Sequence, residues 1–126
     1  MTKTAIVSPK LAPPAGPFSQ AIQCQGFIYL SGQVGQDPAT GKLVEGGVAA
    51  EAEQVFKNVS AVLEAAGKNF ADVVQVRVFL TNIGDYAVVN EIYARQFSAP
   101  YPARTAVAVA ALPLGASFEI DLVAAA

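Results

Sequence analysis

The sequence predicts an α+β fold in which two helices pack on one face of a β-sheet. Three observations predict it. Two stretches carry apolar residues at spacings of three and four, the repeat of an amphipathic helix. Several short runs are β-branched or alternate in polarity, the repeat of a strand. Their order is strands, helix, strand, helix, strands, and the 126 residues fit one domain over 1–126.

Residues 8–17 (SPKLAPPAGP) are proline-rich, so they form neither helix nor central strand. They read as an ordered loop or an extended lead-in. Residues 20–25 and 27–33 read as two strands around a hairpin turn at Gly26. Residues 34–47, with Asp37, Pro38, Gly41, Gly46 and Gly47, have the composition of a loop.

Residues 48–66 give the clearest helix. Val48, Ala52, Val55, Phe56, Val59, Val62, Leu63 and Ala66 form its apolar stripe, and Glu53, Lys57, Ser60 and Glu64 take the other face. Gly67 is a natural stop. Residues 73–80 (VVQVRVFL) read as a strand with Val74, Val76, Val78 and Leu80 on one face and Gln75 and Arg77 on the other. Residues 85–97 read as a second helix, with Asp85 as N-cap and Val89, Ile92, Tyr93 and Phe97 as its buried stripe. Pro100 and Pro102 end it. Residues 104–110 and 117–124 are two further strands, joined by ALPLGA.

Composition narrows the function. Hydrophobic residues make up 53% and charged residues 14%, against about 25% charge in an ordinary globular chain. No run is long and apolar enough to span a bilayer. The excess apolar surface points instead to a subunit interface, with a partner subunit covering the second sheet face. The net charge is −2, and the five Lys and three Arg are scattered, which lacks the footprint of a nucleic-acid binder. Cys24 is the only cysteine, so no intrachain disulfide forms. The opening MTKTAIVSP has no apolar signal core, and a cytoplasmic location is expected.

The chain has no His. Ser-His-Asp and Cys-His machinery is therefore excluded, and a zinc site would lack both histidines and paired cysteines. Neither metal nor cofactor is expected. Proton transfer falls to Asp, Glu, Tyr, Lys, Cys24, backbone or water. Residues 35–42 (GQDPATGK) imitate a phosphate-binding loop, but the spacing is off by one. Leu43 replaces the magnesium-binding hydroxyl and Pro38 interrupts the cradle, so the segment reads as a surface turn.

The informative residues are charges inside apolar strands. Arg104 begins a small, apolar strand, and Glu119 lies between Phe118 and Ile120. Period two places Arg104, Ala106 and Ala108 on one face. If the last two strands pair with each other, with Glu119 opposite Ala106 or Ala108, then Glu119 shares that face above a floor of small side chains. A register shifted by one separates them. An ordinary ion pair or a solvated face would explain the same residues. A guanidinium kept for a ligand carboxylate would offer a bidentate fork that Lys cannot match.

PARTAVAVAALPLGASFEI (102–120) resembles the signature of the RidA family of reactive intermediate deaminases, also called YjgF/UK114. GPFSQAI (16–22), YLSGQVGQDPATGKL (29–43) and TNIGDYAVVNEIYARQF (81–97) resemble further segments of that family, in order and over nearly the whole chain. The resemblance implies a chorismate-mutase-like fold: a mixed β-sheet with two helices on one face, assembled as a homotrimer with ligand clefts between subunits. It implies that Arg104 grips a substrate carboxylate and that Glu119 orients water. Ser31 and Gly32 would line the cleft, and Asn90 would stand near the interface. Phe18 replaces the commoner Tyr, and Ala106 stands where many members have Cys, which excludes thiol chemistry there.

The implied reaction is hydrolysis of 2-imino or 2-enamino acids to 2-oxo acids and ammonia, without cofactor or metal. Two other readings stay open: the ribonuclease activity ascribed to relatives, and a non-catalytic trimer that binds small carboxylates or a protein. Blander roles are open for single residues too. Phe18 could fill a core gap, Ser31 and Gly32 could form a strand end, and Asn90 could bond a neighbouring loop. Tyr93 and Phe97 fit the core, Cys24 an inert strand position, and Tyr29 and Tyr101 either interface or cleft.

Overall fold

Alternation along β6 (Phe118–Ala125) organises the molecule. Phe118, Ile120, Leu122 and Ala124 are buried, and the residues between them are half-buried. In a pleated strand this pattern gives one face to the core and one to the outside. The computed structural model describes residues 2–126. Its other strands are β1 (Thr4–Ile6), β2 (Ala21–Cys24), β3 (Phe27–Val34), β4 (Val73–Leu80) and β5 (Ala103–Ala108). The helices are α1 (Gly47–Ala65) and α2 (Tyr86–Ala94).

The strands form one six-stranded mixed sheet in the order β1-β2-β3-β6-β4-β5. β6 runs antiparallel to both β3 and β4, whereas β4 and β5 are parallel. β2 and β3 meet at a two-residue turn in which Gln25 and Gly26 both have positive φ, 47° and 84°. That geometry matches the twist of a hairpin and suits Gly at the second position. α1 stops at Gly67, φ 72°, where the Lys68 N–H returns to the Leu63 carbonyl at 2.9 Å.

One core lies between the sheet and both helices. It joins Val55, Val59, Val62 and Leu63 of α1 and Val89 and Ile92 of α2 to the inward residues of β3, β4 and β6. Phe56 is its aromatic hub, with Phe70, Tyr93, Phe97 and Phe118 at centroid distances of 6.0–6.4 Å. Each such side chain contributes about 1.5–3 kcal/mol on burial. The opposite face exposes Phe27, Tyr29 and Val107, by 43%, 48% and 41%. Among the described residues, no helix is long and apolar enough to cross a membrane.

Three local expectations are corrected, and one strand is added to those expected. β1, only three residues long, was too short for a periodic signal. Val74 does not join the inward face: a bulge between Val73 and Gln75 turns it outward, 42% exposed. Asp85 occupies the N-cap position without a side-chain capping bond, and Asn82 instead caps the preceding short turn by accepting the Gly84 N–H at 2.8 Å. α2 ends at Ala94 rather than 97, although Phe97 is buried as expected. The turn at 37–41 is a surface turn, closed by the Gly41 N–H to the Asp37 carbonyl at 2.8 Å.

The largest correction concerns the last two strands. β5 and β6 are not neighbours, because β4 lies between them. Arg104 is level with Val76 and Leu122 on the helix-covered face, and Glu119 is level with Phe79 and Val107 on the other. Lateral partners point to the same side of a sheet. Arg104 and Glu119 of one chain therefore stand on opposite faces, and the expected shared face does not form.

Candidate functional site

Arg104 extends from β5 toward α2. Its Nη1 donates to Asn90 Oδ1 and its Nη2 to Tyr86 Oη, both at 2.7 Å. The guanidinium lies 4.7 Å from the Tyr93 ring centroid and 5.4 Å from that of Tyr86, within cation–π range. Tyr86, Asn90 and Tyr93 reach it together because they are spaced i, i+4 and i+7 on one helix face. No carboxylate of the described residues pairs with Arg104. Arg77 and Arg95 differ, bonding to Asp121 at 2.6 Å and Glu53 at 3.0 Å. Arg104 is thus held by neutral groups, and two of the five donors of a guanidinium are engaged.

The same cluster shifts both tyrosines. Tyr86 ionises below the ordinary phenol value, chiefly through the neighbouring Asn90 amide and then through the Arg104 charge. Tyr93 is raised by burial, with Arg104 opposing the shift. The buried Tyr93 hydroxyl has no hydrogen-bond partner. Ala106 lies two residues beyond Arg104 on the same face and packs against the core.

A second cluster lies where β3 ends and β6 begins. A cavity of about 490 Å³ is lined there by Phe18, Ser31, Gly32, Asn58, Leu114 and Glu119, among others. Phe18 is 55% exposed, so it is a wall of this cavity and not a core filler. The Ser31 hydroxyl donates to the Ser19 carbonyl at 2.6 Å, and the Ser31 N–H to that of Gln20 at 3.0 Å. These bonds fold the 16–20 segment against the strand. Gln20, itself buried, accepts the Ser8 N–H at 2.6 Å and anchors the proline-rich lead-in.

Glu119 reaches back over a β3 irregularity between Leu30 and Gln33. Its carboxylate lies directly against Gly32, in the space where a side chain would stand. One of its oxygens is buried without a hydrogen-bond partner. Burial, and then the nearby Asp121 charge, raise its pKa. A carboxyl group desolvated in this way is suited to holding a water or taking a proton nearer neutrality than a free one.

The predicted residues thus fall into two groups. Arg104, Asn90 and Ala106 share the helix-side group, and Phe18, Ser31, Gly32 and Glu119 share the cavity. Tyr86 and Tyr93 were missed as contacts of Arg104. Their spacing with Asn90 was the available signal, but Tyr93 reads as part of the buried stripe and Tyr86 carries no sequence assignment. Among the described residues, no group of three or more His, Cys, Asp or Glu could hold a metal.

Fold and clusters define a two-layer α+β protein with a largely apolar cavity at its strand ends that holds one carboxylate, and a separate guanidinium unpaired with any acid of the described residues. The chain belongs to the family described as Endoribonuclease L-PSP, which matches residues 9–126. It is 50% identical over 120 residues to the human 2-iminobutanoate/2-iminopropanoate deaminase, covering 94% of this chain and 88% of that one. The RidA structure from the Antarctic bacterium Psychrobacter sp. PAMC 21119 superposes with a TM-score of 0.92 at 46% identity, covering 98% and 99% of the two chains. The structure of E. coli TdcF with bound serine gives a TM-score of 0.90 at 30% identity, covering 98% of each.

Proposed function

We propose that the protein hydrolyses reactive 2-imino or 2-enamino acids to 2-oxo acids and ammonia. The observation that carries this reading is Arg104, a guanidinium fixed by neutral partners and left free of acids. Such a fork binds a carboxylate bidentately. The relatives named as iminobutanoate and iminopropanoate deaminases act on small molecules with such a group.

Arg104 binds the substrate carboxylate and so fixes the imine carbon two atoms away. Glu119, as carboxylate, orients a water, accepts its proton as oxygen attacks that carbon, and returns the proton to the imine nitrogen; the aminol hydroxyl then passes its own proton to that nitrogen as the C–N bond breaks. The tetrahedral aminol then expels ammonia, leaving the 2-oxo acid. An imine is already electrophilic, so positioning suffices without His, thiol or metal. Phe18, Ser31, Gly32 and Glu119 form the water side of the site, and Arg104, Asn90 and Ala106 the carboxylate side.

The two sides lie on opposite faces of one sheet, so a small ligand reaches both only between copies of the chain. The exposed Phe27, Tyr29 and Val107 offer an apolar face for such assembly. A closed ring of three copies, with each Arg104 group facing a neighbour's Glu119 cavity, satisfies every half-site. The lone Cys24 suits a reducing compartment such as the cytoplasm.

Mixed assemblies test this reading. Arg104→Ala and Glu119→Gln chains are each expected to be inactive on 2-iminopropanoate. Co-refolded in equal amounts, they are expected to recover about a quarter of wild-type activity, because one interface in four pairs two intact halves. A site within one chain would recover none.

A further inference from the structure

Building on the reading that Arg104 receives a carboxylate, we infer that the Tyr86 hydroxyl is a second donor to it and a specificity-determining residue. Tyr86 opens α2 and is 40% exposed, so its hydroxyl is accessible to a ligand. Its oxygen accepts from Arg104 Nη2 at 2.7 Å. The direction of that bond is fixed, because a guanidinium has only hydrogens to offer. The phenol hydrogen is therefore left to donate, and no group of the described residues accepts it.

The guanidinium and this hydrogen stand side by side on one small surface. A carboxylate has two oxygens with several lone pairs and can accept from both at once. A neutral carbonyl has less to gain from the second donor. Asn90 completes the arrangement: it accepts Arg104 Nη1 at 2.7 Å, so the guanidinium is held at two points and cannot turn away from the Tyr86 hydroxyl. The Arg104 contact polarises the hydroxyl and strengthens it as a donor. Tyr93 has a different part, since its ring supports the cation while its hydroxyl is buried away from any partner.

Calorimetric binding of pyruvate and of its neutral amide, pyruvamide, to the assembled protein tests this. Tyr86→Phe is expected to weaken pyruvate about tenfold, the usual loss for one hydrogen bond to a charged group, and to leave pyruvamide unchanged. Ultraviolet titration separates donation from mere support of Arg104. The tyrosine transition that vanishes in Tyr86→Phe identifies this hydroxyl. In the wild type it should move to higher pH with pyruvate, because a bound carboxylate disfavours phenolate. Unchanged pyruvate affinity in Tyr86→Phe, alongside loss of binding in Arg104→Ala, would overturn the inference and leave the carboxylate site standing. So would a transition that pyruvate does not move. Unchanged pyruvate binding in Arg104→Ala itself would instead remove the reading beneath it.

Discussion

The Glu119 carboxylate occupies the volume that a side chain at residue 32 would need. Glycine at 32 is thus a matter of space, and the two residues act as one unit. Gly32→Ala is expected to push the carboxylate off its seat and lower kcat by about 10²-fold, the scale set by a misplacement of roughly 1 Å. Steady-state deamination measures the loss, and circular dichroism checks the fold. Near wild-type kcat would show that the seat of Glu119 is irrelevant to turnover.

Arg104→Lys keeps the charge and removes the planar fork. Its single ammonium cannot bond Asn90 and Tyr86 at their present positions and also grip a carboxylate with two parallel bonds. KM for 2-iminopropanoate is expected to rise about tenfold or more. Kinetics at saturating and limiting substrate separate this from a loss of kcat.

Glu119 gives a pH signature in stability. Its folded pKa is raised by burial and Asp121, so its charged form is the disfavoured one. Its contribution to stability is full below the ordinary carboxyl range and is lost as pH rises through the raised value. Glu119→Gln is therefore expected to be more stable than wild type at pH 7, by up to about 1 kcal/mol given its partial exposure. The gap should close as the wild-type carboxyl takes its proton on acidification. Urea unfolding at pH 7 and pH 4 reads both values, and an equal gap at both would contradict the assignment.

Tyr93→Phe removes a buried hydroxyl that bonds to nothing while keeping the ring beneath Arg104. Stability is expected to stay level or rise by up to about 1 kcal/mol, since an unsatisfied polar group disappears. Tyr93→Leu, which also removes the ring, is expected to weaken pyruvate binding through the lost cation–π contact. Destabilisation of Tyr93→Phe by more than about 1 kcal/mol would reveal a partner for the hydroxyl.

The helices and five of the strands were legible because their signals are local. The Val55–Val59–Val62 stripe of α1 and the inward series from Phe118 to Ala124 repeat within a few residues. Strand order is different in kind. The insertion of β6 between β3 and β4 joins residues far apart in sequence, and alternation says which way a side chain points but not which strand lies beside it. Arg104 and Glu119 were therefore singled out correctly as unusual charges, yet placed on one face when they occupy two. The bulge at Val74 escaped for a related reason, because a period-two reading has no term for an extra residue. Gly32 was picked out as a cleft residue through resemblance alone, since its spatial reason lies eighty-seven positions away at Glu119.

The separation of Arg104 from Glu119 across the sheet also bears on how the enzyme behaves when scarce. If the site forms between copies as proposed, an isolated chain would carry every group the chemistry requires and still be inert. On the proposed arrangement, specific activity should depend on protein concentration, falling away on dilution once the copies part and returning when they meet again.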